Sequence, residues 1–312
     1  MKKIPAVRMQ APCFFCSLNR AWTEIQLATD DPELQFKTMR AMLKILYENT
    51  EQINEMALDD ERQSPAWIGT LRERLIKQLT NNLNFYAELK RQANEAAMKI
   101  IPQFQKQINM ADSKQTRFRM ACLAAVAANA IEFDVAGYEF SLSQLQNLMS
   151  KAEAELAIDQ IDNLFNAAKY ANQILYLTDN AGEIAFDTLF VKELKCLAPV
   201  IVAVRGQPVM NDATLQDAEA VGMTQITDVV TTGADCVGVI LSIVSSEFRD
   251  TFFESNLVVS KGMANLETLS VYDIQQPVIY VLYRTKCQPI ADFSEVPRHR
   301  NVVARLDYLK SR

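Results

Sequence analysis

The sequence predicts an α/β protein, with a helical N-terminal region followed by an α/β/α sandwich on a mostly parallel, Rossmann-like sheet. Three observations predict it. Glycine is nearly missing from the first part, where Gly69 is the only one before residue 137. Leucines recur there at helical spacing. From about residue 174, compact β-branched runs alternate with helical stretches, and glycines fall where the apolar runs end, at Gly182, Gly206, Gly233 and Gly262. Strands of that kind are covered on both faces, which is the grammar of a parallel sheet between helices. The chain divides accordingly into a helical region over 1–150 and an α/β/α domain over 151–312.

The elements follow in order. Trp67, Leu71, Leu75, Leu79 and Leu83 step by four and form one helix face, read as core. Further helices are expected near Leu34 to Met56 and from Phe118 to about Asn129, with breaks at Pro102 and at Ala111–Ser113. In the second part, Ile174–Thr178 reads as a strand, Gly182–Lys195 as a helix and Val200–Val204 as a strand. Asp212–Ala220 reads as a helix, Ile226–Thr232 as a strand, and a long helix follows through Phe253. Leu257–Ser260 and Val278–Leu282 are further strands. Right-handed crossovers align the carboxyl ends of parallel strands along one edge, where ligands bind.

The totals exclude several classes. An apolar share of 49% with 22% charged residues describes a globular chain and not a disordered one. No apolar run approaches a membrane span, and no secretory segment follows Met1-Lys2-Lys3, so a cytoplasmic protein with no membrane partner is expected. Six cysteines in 312 residues do not make a disulfide scaffold. The net charge is −6; residues 1–150 are balanced, with 18 Lys/Arg against 17 Asp/Glu, and the rest holds 14 against 21. An acidic C-terminal half argues against nucleic acid as a partner and suits a divalent cation.

Three strand exits carry polar clusters. They are Thr178-Asp179-Asn180-Ala181-Gly182-Glu183, then Arg205-Gly206-Gln207-Pro208 with Asn211-Asp212-Ala213-Thr214 and Asp217, and Ser260 to Glu267. By the edge rule all three face one crevice. Asp179, Asn180 and Asp217 make a hard-oxygen donor set, suited to Mg²⁺ or Mn²⁺ and poorly suited to structural zinc. Lys261 offers a positive charge, and the amides after Gly262 an anion cradle. A cation, a lysine and amides together are equipment for a transferring phosphoryl group. Asp-Asn before Gly is also ordinary turn chemistry, and Asp212 also reads as a helix cap. The single histidine, His299, lies among Pro297, Arg298 and Arg300 and reads as a surface residue, which removes His-based triads and His-ligated zinc. Glu183 and Asp212 are candidates for a general base or a supporting role, and helix capping explains each as well.

Taken together, Asp179-Asn180-x-Gly182-Glu183, Arg205-Gly206-x-Pro208-x-x-Asn211-Asp212-Ala213-Thr214-x-x-Asp217-Ala218 and Lys261-Gly262-x-x-Asn265-x-Glu267 resemble the metal-dependent damage-control phosphatases, the domain of unknown function 89. The resemblance extends to Asn129-x-x-Glu132-Phe133-Asp134, to Cys13-x-x-Cys16 and to Lys286-Cys287, so it spans most of the chain. The early cysteine pair is similar to the prokaryotic branch. Ala264 stands where many members have glycine, and Glu132 where Asp is expected. The resemblance implies a helical region packed on an α/β/α sandwich. It implies a divalent cation (Mg²⁺ or Mn²⁺, with Co²⁺ or Ni²⁺ as alternatives) held by Asp179, Asn180 and Asp217, with Lys261 completing the catalytic set. It places the substrate near Asn180, Asn211, Lys261, the turn Met263, Ala264, Asn265 and Glu267, and Lys286. The implied activity is hydrolysis of phosphomonoesters of small metabolites, sugar phosphates or cofactor-like phosphates, as metabolite damage control.

Cys13-x-x-Cys16, joined by Cys287 beside Lys286, reads as a second metal site, a redox pair or buried thiols. Cys122, Cys196 and Cys236 read as core. Two other classes compete with the phosphatase. One is an S-adenosylmethionine- or nucleotide-binding enzyme on a Rossmann-like sheet, which calls for a glycine-rich loop after the first strand. Asp179-Asn-Ala-Gly-Glu183 has one glycine and two carboxylates and suits a cation better. The other is a non-catalytic protein that binds a metal and a metabolite.

Overall fold

The computed structural model describes residues 6–51, 53, 56, 57, 60–128 and 149–312. Asn129, Glu132, Phe133 and Asp134 of the upstream motif lie outside these. Among the described residues, the long helices ahead of the sheet are α1 Ala11–Ala28, α2 Pro32–Thr50, α3 Pro65–Thr80, α4 Ala87–Asn109 and α5 Lys114–Ala128. The first three each carry proline in the first turn, where its missing N–H costs nothing. Asp31 and Ser64 cap α2 and α3 from their side chains, and α3 ends on Asn81 in the left-handed region, at φ 52°. Pro102 sits inside α4 without ending it, whereas Ala111–Ser113 does separate α4 from α5.

The leucine face of α3 is half-buried, not the core face that its spacing predicts, and Leu83 is exposed beyond the helix end. The fully buried side carries Ala66, Ile68, Gly69 and Ile76 together with Thr70, Arg72 and Glu73. A count of apolar residues passes over that stripe because half of it is polar. Arg72 is matched there by a bidentate pair with Glu24 of α1, at 2.6 and 2.9 Å, with both side chains buried. A buried guanidinium needs such a planar partner to offset its desolvation. Ala21, Ile25, Met42, Leu46, Ile68 and Ile76 pack α1, α2 and α3 together around it.

The seven strands are β1 Leu156–Asp159, β2 Ile174–Leu177, β3 Val200–Val204, β4 Asp228–Thr231, β5 Leu257–Lys261, β6 Val278–Arg284 and β7 Asn301–Arg305, in the order β1-β7-β6-β5-β2-β3-β4. Every pairing is parallel except β6 with β7. The short β1 and the antiparallel β7 extend the sheet beyond the strands read from the sequence. The connecting helices are α6 Ile161–Lys169, α7 Glu183–Lys195, α8 Leu215–Ala220, α9 Met223–Ile226, α10 Ser246–Glu254, α11 Met263–Leu269, α12 Gln288–Ser294 and α13 Leu306–Ser311. The expected long helix before Phe253 is only α10, which starts at a Ser245 cap.

Side chains alternate across the strands, as a period of two requires. Ile174 and Tyr176 face α6 and α7, while Leu175 and Leu177 face Phe248 and Phe252 of α10 and Leu266 and Leu269 of α11. The first of these layers also contains α4 and α5. Phe104 of α4 meets Phe186 edge-on at 5.2 Å, and Phe118 of α5 meets Phe190 at 5.0 Å. Two helices from the first part of the chain therefore share the core of the sheet. Among the described residues, no helix is long and apolar enough to cross a membrane.

From β2 the chain winds outward through β3 to β4, then returns to place β5 on the other side of β2. The carboxyl ends of β2 and β5 thus sit where the winding reverses, the place where open α/β sheets leave a crevice.

One buried carboxyl ties α3 to that crevice. Glu73 accepts the Met210 N–H at 3.0 Å and lies 3.4 Å from Lys77, which itself donates to the Pro208 carbonyl. These contacts hold the turn at Pro208–Asp212, where Met210 takes φ 46°. Burial raises the Glu73 carboxyl to about 7; nearby Glu24 adds to the rise, and Lys77, the Met210 N–H and Arg72 oppose it. A carboxyl raised in the folded state stabilises fully below its unfolded value, near 4.5, and that contribution is lost as pH rises through about 7. Glu73→Gln is therefore expected to flatten stability between about pH 5 and pH 8 and to add on the order of 1–3 kcal/mol at pH 8. Urea unfolding of both proteins across that range checks it, and parallel pH profiles would refute it.

Candidate active site

The strand ends are stitched to one another by backbone. Thr178 sends its N–H and its hydroxyl to the Ala203 carbonyl. Ala213 N–H donates to the Asp179 carbonyl and Ala181 N–H to the Asn211 carbonyl, both at 2.8 Å, so Asn180 and Asp212 stand side by side. Gly182 takes φ 77° and opens α7, and its N–H is received by Asn94 of α4 at 2.7 Å. Asp179 is buried against Gly262, where a Cβ would fall 2.2 Å from the carboxyl carbon. Only glycine allows that approach, and its φ of 82° suits glycine as well.

A cleft of about 660 Å³ opens over these residues. Asp179, Asn180, Asn211, Met263, Ala264 and Lys286 line it, as the sequence reading expects, together with Glu183 and Asp212. Its opposite wall comes from the helical part, through Arg20, Tyr86 and Lys90. His299 also lines it, from an exposed position. Sequence reasoning missed Arg20, Tyr86 and Lys90, because nothing local ties them to motifs that lie far along the chain. A smaller pocket of about 270 Å³ near Tyr272, Arg305 and Lys310 holds none of the expected residues.

Four of the residues expected to act in catalysis or substrate binding do not line the cleft. Lys261 is fully buried and not a mobile charge; its ammonium donates to Asp187 at 2.8 Å, with Glu183 at 3.6 Å. Tyr176 donates to the same Asp187 oxygen at 2.7 Å. Asn265 is also fully buried and spends its amide on the Thr178 and Lys261 carbonyls while accepting from Arg205. Glu267 is half-buried, and burial raises its carboxyl to about 7 against the pull of Arg20 and Arg72. Asp217 closes a capping box on α8. Its Oδ2 receives the Thr214 N–H at 2.8 Å, the Thr214 hydroxyl at 2.6 Å and the Lys90 ammonium at 2.7 Å, and its Oδ1 receives Asn94 at 2.8 Å. The capping box also explains why α8 starts at Leu215 and not at Asp212.

Cys13 is buried, Cys16 exposed and Cys287 half-buried. Burial pushes the Cys13 thiol up and the Cys287 thiol to about 11, which keeps both protonated near neutral pH. Cys196, read as core, is exposed.

The buried charges around the strand ends do not balance. Among the described residues, Asp179, Glu183, Asp187, Asp212 and Asp217 are five carboxylates and Lys90, Arg205 and Lys261 three cations, all nine-tenths buried or more; Arg284, equally buried on the cleft wall, is matched by Glu155 at 2.6 Å and adds no net charge. Two negative charges are in excess. Burial drives the Asp179 carboxyl well above its ordinary range, and Glu183 and Asp212 drive it further. Lys286 and Lys261 oppose that rise, and a buried cluster with a negative excess protonates or binds a cation. Asn180 turns its amide nitrogen to Asp179 at 3.0 Å and Glu183 at 2.7 Å. Among the described residues, no three His, Cys, Asp or Glu side chains already converge as a metal cage. The set fits a hard divalent cation through its charge and its oxygens, with the Asn180 amide as a neutral donor and water in the remaining positions. Gly262→Ala tests the close approach: it is expected to lower the unfolding free energy by about 2–4 kcal/mol. Equal stability of variant and wild type in urea would contradict it.

Comparison with known proteins identifies the family of the chain. The damage-control phosphatase ARMT1-like domain matches residues 9–302. An uncharacterized protein of Methanocaldococcus jannaschii is 33% identical over 305 residues, 96% of each chain. A damage-control phosphatase of Archaeoglobus fulgidus is 32% identical over 282 residues, 89% of this chain and 92% of that one. The crystal structure of a DUF89 family protein from Pyrococcus horikoshii superposes with a TM-score of 0.82 at 30% identity, covering 96% of this chain and 99% of the other. The chain belongs to the damage-control phosphatase ARMT1-like family.

Proposed function

We propose that this protein is a divalent-metal-dependent phosphatase that hydrolyses phosphomonoesters of small metabolites, as metabolite damage control in the cytoplasm. The observation that carries the metal requirement is the excess of two negative charges buried at the carboxyl ends of the sheet. Family membership supports the phosphatase chemistry. Six free thiols suit a reducing compartment.

Asp179, Asn180 and Asp212 are the residues that would hold the cation. Asp212 replaces Asp217 in this role because it lines the cleft beside Asn180, whereas four donors from Lys90, Asn94 and Thr214 already occupy Asp217. A bound Mg²⁺ or Mn²⁺ supplies Lewis acidity toward a phosphoryl oxygen and lowers the pKa of water. The chain does the rest. Arg205 fixes the Asp212 carboxylate through Oδ2 at 2.6 Å and leaves its other oxygen for the cleft. The exposed Lys286 supplies positive charge to the phosphate at the cleft mouth. Glu183 receives the Asn180 amide and is the carboxylate placed to accept a proton from attacking water. Lys261 and Asp187 act beneath the site, where they keep Glu183 and the end of β5 in place.

Phosphate release from p-nitrophenyl phosphate and a panel of sugar phosphates, nucleotides and phosphopantetheine tests the proposal. Each substrate is run after EDTA treatment and again with Mg²⁺, Mn²⁺, Co²⁺ or Ni²⁺ restored. Turnover is expected only with metal, and Asp179→Asn or Asp212→Asn is expected to lower it at least about 100-fold. Undiminished turnover in EDTA, or in Asp212→Asn, would defeat the proposal.

A further inference from the structure

We infer that Lys90, supplied by α4 of the helical region, contacts the substrate phosphate in this cleft and is aimed there by Asp217. The inference rests on the phosphatase reading above and adds a residue from a separate part of the chain. Among the described residues, four cations are buried around the site, and three of them are spent inside the protein, Arg284 on Glu155 and Asn301. Lys261 is taken by Asp187, and Arg205 by Asp212, the Gly238 carbonyl and Asn265. Neither lines the cleft. Lys90 does, although it is only 4% exposed.

An ammonium has three N–H groups. Among the described residues, Lys90 uses two of them, on Asp217 Oδ2 at 2.7 Å and on Thr214 Oγ1 at 3.3 Å. The third has no partner among the described residues, and Lys90 lines the cleft. Asp217 cannot follow a wandering lysine, because the Thr214 N–H, the Thr214 hydroxyl and Asn94 hold it from three other directions. The ammonium is therefore fixed above the Asp212–Thr214 turn, and its charge reaches Asp212. A lysine held by one carboxylate and open on one side is preorganised for an anion and loses little side-chain entropy on binding it.

Asn94, one turn further along α4, provides the contrast. It bridges the Asp217 carboxylate and the Gly182 N–H, makes no part of the cleft wall, and is a positioning residue. A purely structural Lys90 would resemble it. A phosphomonoester dianion brings two further negative charges to a cluster that one divalent cation only neutralises. Lys90, from the helical wall, and Lys286 receive them beside the other cations that line the cleft, Arg20, Lys151 and Arg284.

The test measures binding of orthophosphate and of Mn²⁺ by calorimetry, with phosphate added to the Mn²⁺-loaded protein. Lys90→Met alone leaves Asp217 buried and unpaired, so Lys90→Met/Asp217→Asn, which removes both charges, is measured beside it. Circular dichroism establishes that each variant folds. Phosphate affinity is expected to fall about tenfold or more in both, with Mn²⁺ affinity within about twofold of wild type. Lys90→Arg is expected to recover most of the loss. Wild-type phosphate affinity in the double variant overturns the inference, and so does a parallel loss of Mn²⁺ affinity, which assigns Lys90 to holding the fold. A wild type that binds phosphate through Lys90 but hydrolyses no phosphomonoester defeats the phosphatase reading and keeps Lys90 as an anion contact. A wild type that binds no orthophosphate overturns the Lys90 assignment whatever its turnover.

Discussion

The Asp179 carboxyl lies where a side chain on residue 262 would have to be. That single close approach sets the spacing between the ends of β2 and β5, the two strands that diverge at the reversal of the winding. It also strips water from Asp179, with Glu183 and Asp212 beside it. Burying carboxylates side by side is unfavourable unless something positive joins them. The rest of the site follows from that constraint. Arg205 braces Asp212, Lys261 braces Asp187 and Glu183, and two negative charges still remain over a cleft. A fold selected for stability alone would have little reason to keep such a cluster at a sheet edge; a fold that holds a cation has one.

The helical region completes this arrangement from outside. Asn94 receives the N–H of Gly182, and Glu73 receives that of Met210, so two backbone segments that carry site residues are held by α4 and α3. Phe104 and Phe118 bind α4 and α5 into the same layer as α7. The apolar contacts set the position of α4 over the sheet, and its polar face then delivers Lys90 and Asn94 to the strand ends. Packing and chemistry are thereby coupled on one helix, with the apolar stripe toward the core and the polar stripe toward the cleft.

Much of this was legible in the sequence, for a physical reason. Parallel strands buried on both faces leave continuous β-branched runs, and the edge rule converts their exits into one crevice. Asp179, Asn180, Asn211, Met263 and Ala264 come together as that logic requires, and Lys286, read only from the family resemblance, joins them. Side-chain direction was not legible. Lys261 ends a strand and belongs to the right cluster, yet it is buried beside Leu282 of β6 and turns under the site to Asp187. Asp217 has the right residue type at helical spacing, but a capping box and two α4 side chains claim it. Lys90 and Asn94 carry no motif and meet the site only through tertiary packing. The half-polar buried stripe of α3 misled in the same way, since Arg72 and Glu73 are buried only because Glu24 and Met210 wait for them.

The central claim is that the buried negative excess is a cation site. The most direct measurement is the thermal unfolding midpoint of the EDTA-treated protein as Mn²⁺ or Mg²⁺ is titrated in. A cation that binds the folded cluster alone stabilises by about 2.7 kcal/mol at a hundredfold excess over its dissociation constant, which for a chain of this size is a rise of about 5 °C. The account predicts a midpoint that rises with the logarithm of metal concentration above the dissociation constant, with the slope expected for one ion per chain, and a smaller rise in Asp212→Asn. A midpoint that does not move with either metal would contradict it.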